Sequence, residues 1–360
     1  MREVFNFSAG PSMLPEEVLR EVQADILSYG GSNMSVMEMS HRSKLYEEIN
    51  AEAESLLREL MGISDNYDVI FVQGGASTQF EAVPLNLLKS GKADYIVTGN
   101  FAEKAYKEAQ KFGDIAAAAS SKDKNFTYIP KTDKNSFRNG IDYIHLTTNN
   151  TIFGSHTTMN NVPEADAPIV ADASSNILGE VIDVNKFGVI YAGAQKNIGP
   201  AGVTVVIVRK DLQDKALPIC PTMLKWSTQI KEKSLYNTPP CFSTYVAMLV
   251  FRWLKKLGGV GTIQKINELK ARTLYDLIDN SSFYTNKTNP ADRSIMNVPF
   301  QTPTPEFDAK FIEEAGKVGL KTLKGHRLVG GMRASIYNAV PLEGVQKLAD
   351  FMKKFALQNK

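Results

Sequence analysis

The sequence predicts an α/β protein with a large domain on a mostly parallel sheet and a smaller C-terminal α+β domain. Three short apolar runs lie between residues 168 and 208, each rich in β-branched residues and closed by small or polar ones. Helical patterns surround them, and Gly258-Gly259 marks a boundary after a strongly apolar helix. At 360 residues the chain is longer than one typical core supports, which favours this division.

Residues 1–15 are predicted to form an N-terminal arm, and residues 16–258 the large domain. Pro15 opens a first helix, because proline is well placed in a first helical turn. In a second helix, residues from Leu45 to Leu60 place their apolar side chains on one face, and Gly62 ends it.

Strands and turns alternate through the rest of the large domain. The segments predicted as strands are Tyr67–Gln73, Asp94–Thr98, Tyr143–Leu146, Pro168–Ala171, Gly188–Ala192 and Val203–Val208. A glycine turn follows the first of these and leads into a helix at Gln79–Leu88. The polar, alanine-containing stretch Lys111–Asp133 is predicted to be a surface connection.

The small domain is predicted to span residues 259–360. Its helices are expected at Ile263–Ile278, Phe307–Lys317 and Glu343–Phe355, with short strands near Ser294–Val298 and Met332–Ile336.

Composition excludes several classes of function. The net charge of +2 gives no reason to expect nucleic acid or an anionic membrane as a partner, and no apolar run approaches a membrane span. The start of the chain lacks the apolar core of a signal peptide, and Cys220 and Cys241 form no close pair, so a reducing cytoplasm is expected. Four scattered histidines lack metal-ligand spacing, and no metal is predicted.

An acid and a lysine close two neighbouring strands. The run at 168–171 ends in Asp172, and the run at 188–192 leads to Gly-Ala-Gln and Lys196. Ligands of open α/β sheets bind beyond the carboxyl ends of the strands. Pyridoxal phosphate needs a lysine amine for its Schiff base and an anion beside its ring nitrogen. Each residue alone is more often a solvated loop or turn residue, but Lys196 lies between an apolar strand and Gly199-Pro-Ala-Gly202.

The longest distinctive motif is YAGAQKNIGPAGVTVVIVRKDL at 191–212, and it resembles the phosphoserine aminotransferase family of fold-type-I, pyridoxal-phosphate enzymes. The shorter motifs are FNFSAGPSMLPEEVL at 5–19, SHRS at 40–43, GGAS at 74–77 and GGMRASIYNA at 330–339. The resemblance implies transfer of an amino group from L-glutamate to 3-phosphonooxypyruvate, giving O-phospho-L-serine for serine biosynthesis. Action on 3-hydroxy-2-oxo-4-phosphonooxybutanoate, giving 4-phosphonooxy-L-threonine for pyridoxine biosynthesis, is also implied.

The resemblance also assigns cofactor-binding residues and a homodimer with shared active sites. Lys196 and Asp172 are the implied catalytic pair. The other implied cofactor contacts are Ala76, Ser77, Phe101, Thr151, Gln195, and Asn237 and Thr238 of the neighbouring subunit. Phe101 stands where the family usually has tryptophan. Phenylalanine keeps a π face but has less area than tryptophan.

Basic residues are the candidates for substrate binding, because both substrates carry an α-carboxylate and a distal anion. We expect Arg333 to bind the α-carboxylate through its planar guanidinium. The distal carboxylate or phosphate is expected at a cluster of His41, Arg42, His326 and Arg327.

Two other interpretations fit the sequence. Another fold-type-I reaction, such as alanine–glyoxylate transamination or cysteine desulfuration, uses the same cofactor, although neither cysteine lies in a recognisable loop motif. From a different class, the chain could be a non-catalytic cofactor-binding or nucleotide-binding regulator. No G-x-G-x-x-G follows a strand, which argues against a dinucleotide.

Overall fold

The computed structural model describes residues 3–359, and within them the largest element is a seven-stranded sheet. Across the sheet the order is β2 (Tyr67–Val72), β8 (Thr204–Arg209), β7 (Val189–Gly193), β6 (Ile169–Asp172), β5 (Tyr143–Thr147), β3 (Lys92–Val97) and β4 (Asp114–Ser120). Strand β8 is antiparallel to both neighbours, and the other six strands share one direction. The predicted mostly parallel α/β sheet is confirmed.

Helices cover both faces of this sheet. They are α1 (Glu16–Asp25), α2 (Lys44–Met61), α3 (Gly75–Leu87), α4 (Asn100–Ala109), α5 (Trp226–Lys231) and α6 (Cys241–Lys256). Alternate strand residues such as Ile190 and Ala192 pack with α2 and α6, whereas Val189 and Tyr191 pack with α3 and α4. Because both faces are buried, the strands are continuously apolar rather than alternating.

The predicted surface connection at Lys111–Asp133 is wrong in part, because it contains β4. Strand β4 lies at the sheet edge and pairs only with β3. Its alanine-rich sequence has a single β-branched residue, Ile115, so it carries little of the pattern that indicates strands, and much of it is only partly buried. Pairing with β3 supplies its backbone hydrogen bonds, so tertiary context decides the structure of this segment.

The C-terminal part contains α7 (Val260–Asp279), β9 (Asn297–Phe300), α8 (Pro305–Lys317), β10 (Leu320–Lys321), β11 (Met332–Ser335) and α9 (Leu342–Gln358). Strands β9 and β11 form an antiparallel pair, and β1 (Phe5–Asn6) adds to β10 in parallel. Phe5 and Phe7 therefore pack in the same core as Phe311. The boundaries at 15/16 and 258/259 stay predictions.

No helix in the described range is both long and apolar enough to cross a lipid bilayer.

A buried lysine attaches α7 to the segment after β11. Lys270 is 0% exposed, and its Nζ donates hydrogen bonds to the carbonyl oxygens of Ile336, Tyr337 and Val340 at 2.9, 2.9 and 3.0 Å. Burial lowers the pKa of Lys270 to about 7. All three bonds require the protonated amine, so they hold residues 336–340 against α7 in full only below this pH.

Lys270→Met should reveal this titration in the pH dependence of stability. An unfolded lysine has a pKa of about 10.4, so between about pH 7 and pH 10 the unfolded chain binds the extra proton. The contribution of Lys270 to the free energy of unfolding is thus most favourable at high pH. It is lost as pH falls toward 7, by up to about 1.4 kcal/mol per pH unit.

The measurement is denaturant unfolding of both proteins from pH 6 to pH 10. The wild-type free energy minus that of Lys270→Met should rise with pH. Lys265→Met, which changes an exposed lysine of the same helix, should show no such trend. A pH-independent difference for Lys270→Met would contradict the lowered pKa.

Candidate active site

A cavity of about 420 Å³ lies at the carboxyl ends of the parallel strands. Nine of the predicted site residues line it: Ala76, Ser77, Phe101, Thr151, Asp172, Gln195, Lys196, His326 and Arg333. Seven of them lie at or just after the ends of five different strands of the large sheet, and His326 and Arg333 belong to the C-terminal part. The structure thus brings together residues that are far apart in the sequence.

Asp172 ends β6, and its carboxylate is held by the next turn of chain. Oδ1 accepts hydrogen bonds from the Ser174 hydroxyl at 2.6 Å and the Ser174 backbone N–H at 3.0 Å. The Ser174 hydroxyl in turn accepts from the Gly193 N–H at 3.1 Å. Burial raises the pKa of Asp172, while the Ser174 bonds and the charge of Lys196 oppose that rise.

Lys196 follows β7, and its half-buried side chain forms part of the cavity wall. Its Nζ donates to the Thr151 hydroxyl at 2.7 Å and lies 5.8 Å from the centre of the Phe101 ring. Burial lowers the pKa of Lys196 to about 8, and nearby Arg333 adds to this effect while Asp172 opposes it. An amine with this pKa is partly unprotonated near neutral pH, as a nucleophile must be.

The segment before α1 crosses the lysine segment. The Ser12 hydroxyl donates to the carbonyl oxygen of Lys196, and the Ser12 N–H donates to that of Gln195 at 3.0 Å. Gly10 has a φ of 137°, and a Cβ there would lie 3.3 Å from Cγ of Gln195. A glycine at this position lets the backbone approach the site closely.

The N-terminus of α3 faces the same cavity. The helix begins at Gly75, earlier than the predicted Gln79, because Gly74 makes the turn with a φ of 97°. A Cβ on Gly74 would collide with Thr78. Ala76 and Ser77 therefore lie in the first helical turn, whose backbone N–H groups have no partner within the helix. Such a turn is suited to bind an anion.

Arg333 on β11 is half-buried beside the lysine. One terminal nitrogen donates to the carbonyl oxygen of Thr151 at 3.2 Å, and its buried Nε has no hydrogen-bond partner within residues 3–359. Burial lowers the pKa of Arg333, which stays charged at any working pH. The pKa of His326 is lowered by burial and then by Arg333, Arg327 and Lys104.

The predicted distal-anion cluster is not assembled within one chain. His41 and Arg42 line a separate cleft of about 910 Å³. Arg327 is exposed and does not line the 420 Å³ cavity. Of the four predicted residues, His326 alone lines that cavity.

Asn237 and Thr238 also lie outside the cavity of their own chain. Asn237 lines a neighbouring cavity of about 320 Å³ that borders Gly74. The carbonyl oxygen of Thr238 accepts a hydrogen bond from the Gln73 amide at 3.0 Å.

Four polar residues of the cavity wall were not predicted: Thr147, Asn149, Ser174 and Ser175. All four lie at or just after the ends of β5 or β6, so the rule that led to Asp172 could have found them. In the described chain, Oγ1 of Thr147 and Oδ1 of Asn149 are buried without a hydrogen-bond partner. Such atoms indicate a polar ligand, since buried polar groups are normally paired.

The residues present fit pyridoxal phosphate. A carboxylate is available for a ring nitrogen at Asp172, an amine for the aldehyde at Lys196, and a helix N-terminus for a phosphate at Ala76 and Ser77. The aromatic ring of Phe101 supplies a flat wall. The unpaired atoms of Thr147 and Asn149 leave polar groups for ring substituents.

Comparison with known proteins gives concordant results. The family model "Aminotransferase class-V" matches residues 4–348. A phosphoserine aminotransferase of Bacillus cereus is 53% identical over 362 aligned residues, covering 100% of both chains. A solved structure recording radiation damage of the Schiff base in phosphoserine aminotransferase has a TM-score of 0.95 at 47% identity, covering 99% of this chain and 100% of its own. The phosphoserine aminotransferase of Trichomonas vaginalis with bound PLP has a TM-score of 0.92 at 37% identity, covering 97% and 99%.

Ser174→Ala should raise the pKa of Asp172, because the hydroxyl bond favours the ionised carboxylate. Carbon NMR of the aspartate-labelled, cofactor-free protein measures the titration, and Asp172→Asn identifies the resonance. Ser175→Ala is the matched control, since that hydroxyl donates to the Asn149 carbonyl oxygen instead. An unchanged titration in Ser174→Ala would show that this hydroxyl does not stabilise the carboxylate.

Proposed function

The chain belongs to the class-V aminotransferase family, and from that premise we propose that it transfers the amino group of L-glutamate to 3-phosphonooxypyruvate. The products are O-phospho-L-serine, in the route to serine, and 2-oxoglutarate. We extend the proposal to 3-hydroxy-2-oxo-4-phosphonooxybutanoate, which carries the same two anionic groups one carbon farther apart. A cytoplasmic location is part of the proposal and agrees with two unpaired cysteines.

One observation carries this proposal: a single residue binds both the lysine amine and the guanidinium. The Thr151 hydroxyl accepts from Lys196 Nζ at 2.7 Å, and the Thr151 carbonyl oxygen accepts from Arg333 at 3.2 Å. An α-amino acid presents an amine and a carboxylate on one carbon. A neighbouring amine and guanidinium match that pair of groups.

Pyridoxal phosphate, when bound, supplies an aldehyde that takes up the amino group and a ring that accepts electrons from the substrate α carbon. Lys196 would be the general base: its Nζ takes the proton from the α carbon of the donor and delivers it to the cofactor's aldehyde carbon, and with the acceptor it moves a proton in the opposite direction. A pKa of about 8 suits both directions, since the amine can gain or lose a proton near neutral pH.

The other cavity residues would hold and orient the cofactor. Asp172 would place a negative charge beside the ring nitrogen and keep that nitrogen protonated. The first turn of α3 with Ala76 and Ser77, together with Gln195, would bind the phosphate. Phe101 would pack against the ring with a smaller face than the usual tryptophan, and Thr151 would hydrogen-bond the cofactor.

Positive charge governs the choice of substrate. Arg333 binds the α-carboxylate, and its unpaired Nε leaves room for the second bond of a bidentate pair. Burial and the nearby positive charges lower the pKa of His326, which favours the neutral imidazole, and this ring donates one hydrogen bond to a distal anion. A phosphate dianion close to the ring favours its protonation and strengthens that contact.

A homodimer with shared sites accounts for most of the five predicted residues that lie outside this cavity. Four of them, His41, Arg42, Asn237 and Thr238, lie outside the cavity that contains Lys196 in their own chain. In the proposed dimer, Asn237 and Thr238 reach the phosphate in the partner's cavity. His41 and Arg42 add positive charge for the distal anion in the same way.

The alternatives lack a supporting observation. A cysteine desulfurase needs a thiol at the reacting atoms, and neither Cys220 nor Cys241 lines the cavity. An alanine–glyoxylate aminotransferase needs no group for a distal anion, which leaves the positive charges around His326 without a role.

A coupled assay tests the substrate. With glutamate as donor, kcat/KM for 3-phosphonooxypyruvate should exceed that for pyruvate or glyoxylate by roughly 30-fold to 1000-fold. This is the effect of losing about 2–4 kcal/mol of charge-assisted contact to the phosphate. Equal or greater activity with glyoxylate would favour the alternative aminotransferase, and absence of turnover with every acceptor would refute an aminotransferase.

Mixed dimers test the shared site. A Lys196→Ala chain combined with an Asn237→Ala, Thr238→Ala chain should regain one intact site per mixed dimer and therefore recover activity. The control pairs Lys196→Ala with Asp172→Asn. Both residues line one chain's cavity, so no intact site can form. If tagged mixed dimers form but neither pair recovers, Asn237 and Thr238 do not serve the partner's site.

A further inference from the structure

Five polar side chains are buried where the two parts of the chain meet. They are Asn149, Ser175, Asn297, Ser335 and Tyr337, each 3% exposed or less. A buried polar group is tolerated only when hydrogen-bonded, so such a cluster is sensitive to the loss of any member. The first two follow strands of the large sheet, and the others belong to or follow β9 and β11.

Asn297 is the centre of the cluster. Its Nδ2 donates to the Ser335 hydroxyl at 3.0 Å and to the Tyr337 hydroxyl at 3.1 Å. Its Oδ1 accepts from the Asn149 amide at 2.9 Å. An amide supplies two donors and an acceptor in one rigid plane, and all of these functions are used here.

These bonds attach the strand that carries Arg333 to the wall that carries Thr151. Ser335 is two residues after Arg333 on β11, and Asn149 is two residues before Thr151. Strand β11 forms a four-residue ladder with β9. On its other side Met332 bridges Lys324, and the N–H groups of Arg333 and Ser335 donate to the carbonyl oxygens of Leu323 and Phe7, so the side-chain bonds of Asn297 add to a short ladder. Tyr337 extends the cluster by donating to the Ala9 carbonyl oxygen at 3.0 Å, beside Gly10 over the lysine segment.

We propose that Asn297 is a positioning residue that sets the separation between the Arg333 guanidinium and the Lys196–Thr151 pair. It does not touch the substrate; it acts through β11 on the α-carboxylate clamp. The inference rests on the proposed function, in which Arg333 binds the α-carboxylate of every amino donor.

Asn267 offers a matched control. It is as fully buried as Asn297, and its Nδ2 donates to the Gly179 carbonyl oxygen at 2.9 Å and to the Asn338 amide oxygen at 2.8 Å. It therefore also connects the large-sheet part to the segment after β11. Neither Asn267 nor its two partners line the cavity.

The test compares Asn297→Ala with Asn267→Ala in the full enzyme. Both substitutions should lower the melting temperature. Asn297→Ala alone should raise KM for glutamate and for alanine by the same factor, about tenfold, since a displacement under about 1 Å misplaces the clamp for any α-carboxylate. The kcat values should change less than KM.

Equilibrium binding gives a readout independent of turnover. Glutarate has two carboxylates and no amine, and calorimetry should show its affinity reduced about tenfold in Asn297→Ala and unchanged in Asn267→Ala. The loss of glutarate affinity caused by Arg333→Lys should be smaller in an Asn297→Ala background than in the wild type, because both changes disturb one contact. Additive effects would contradict the proposed coupling.

If Asn297→Ala does not fold, Ser335→Ala removes one of the three bonds and should give the same pattern with a smaller increase in KM. Equal KM and glutarate affinity in the Asn297 and Asn267 variants would overturn the positioning role. In that case the proposed function would still stand if the wild-type protein turns over 3-phosphonooxypyruvate with glutamate. A wild-type protein that neither binds glutarate nor turns over would instead refute the proposed function.

Discussion

Strand direction determines where chemistry can occur in this protein. Six of the seven strands of the large sheet point the same way, so their carboxyl ends, with the polar residues that follow them, meet at one edge. Asp172, Lys196, Thr151 and the first turn of α3 each follow a different strand, yet they line one cavity. Reversal of any of these strands would move its functional group to the opposite edge.

Burial then gives those groups their properties. It lowers the pKa of Lys196 and raises that of Asp172, so both shifts reduce the charge held in the cavity. Two hydrogen bonds from Ser174 counteract the shift for the acid, whereas the amine of Lys196 has only the neutral Thr151 hydroxyl as a hydrogen-bond partner in the described chain. The Ser174 bonds thus favour the ionised form of the acid, while burial favours the neutral, nucleophilic form of the amine, although both groups lie in one cavity.

Local sequence pattern was sufficient for part of this structure. Strands β6 and β7 are short apolar runs with clear ends, so Asp172 and Lys196 could be placed from the pattern of residues alone. The edge strand β4 could not, because alanines carry no strand signal and its pairing with β3 decides its conformation. Asn297 could not be found either, since one polar residue in a short strand does not disclose that three distant side chains converge on it. The sequence could not predict that His41 and His326 line separate cavities, because a resemblance between motifs does not show how distant segments of the chain pack.

The pairing of β1 with β10 has a consequence for the order of events during synthesis. Residues 5–6 obtain their strand partner only at residues 320–321, roughly 300 positions later, and residues 10–12, which follow β1, cross the lysine segment. Contacts with such sequence separation form late, because a long loop must close first. The cavity is therefore complete only after most of the chain has been made, since His326 and Arg333 also line it.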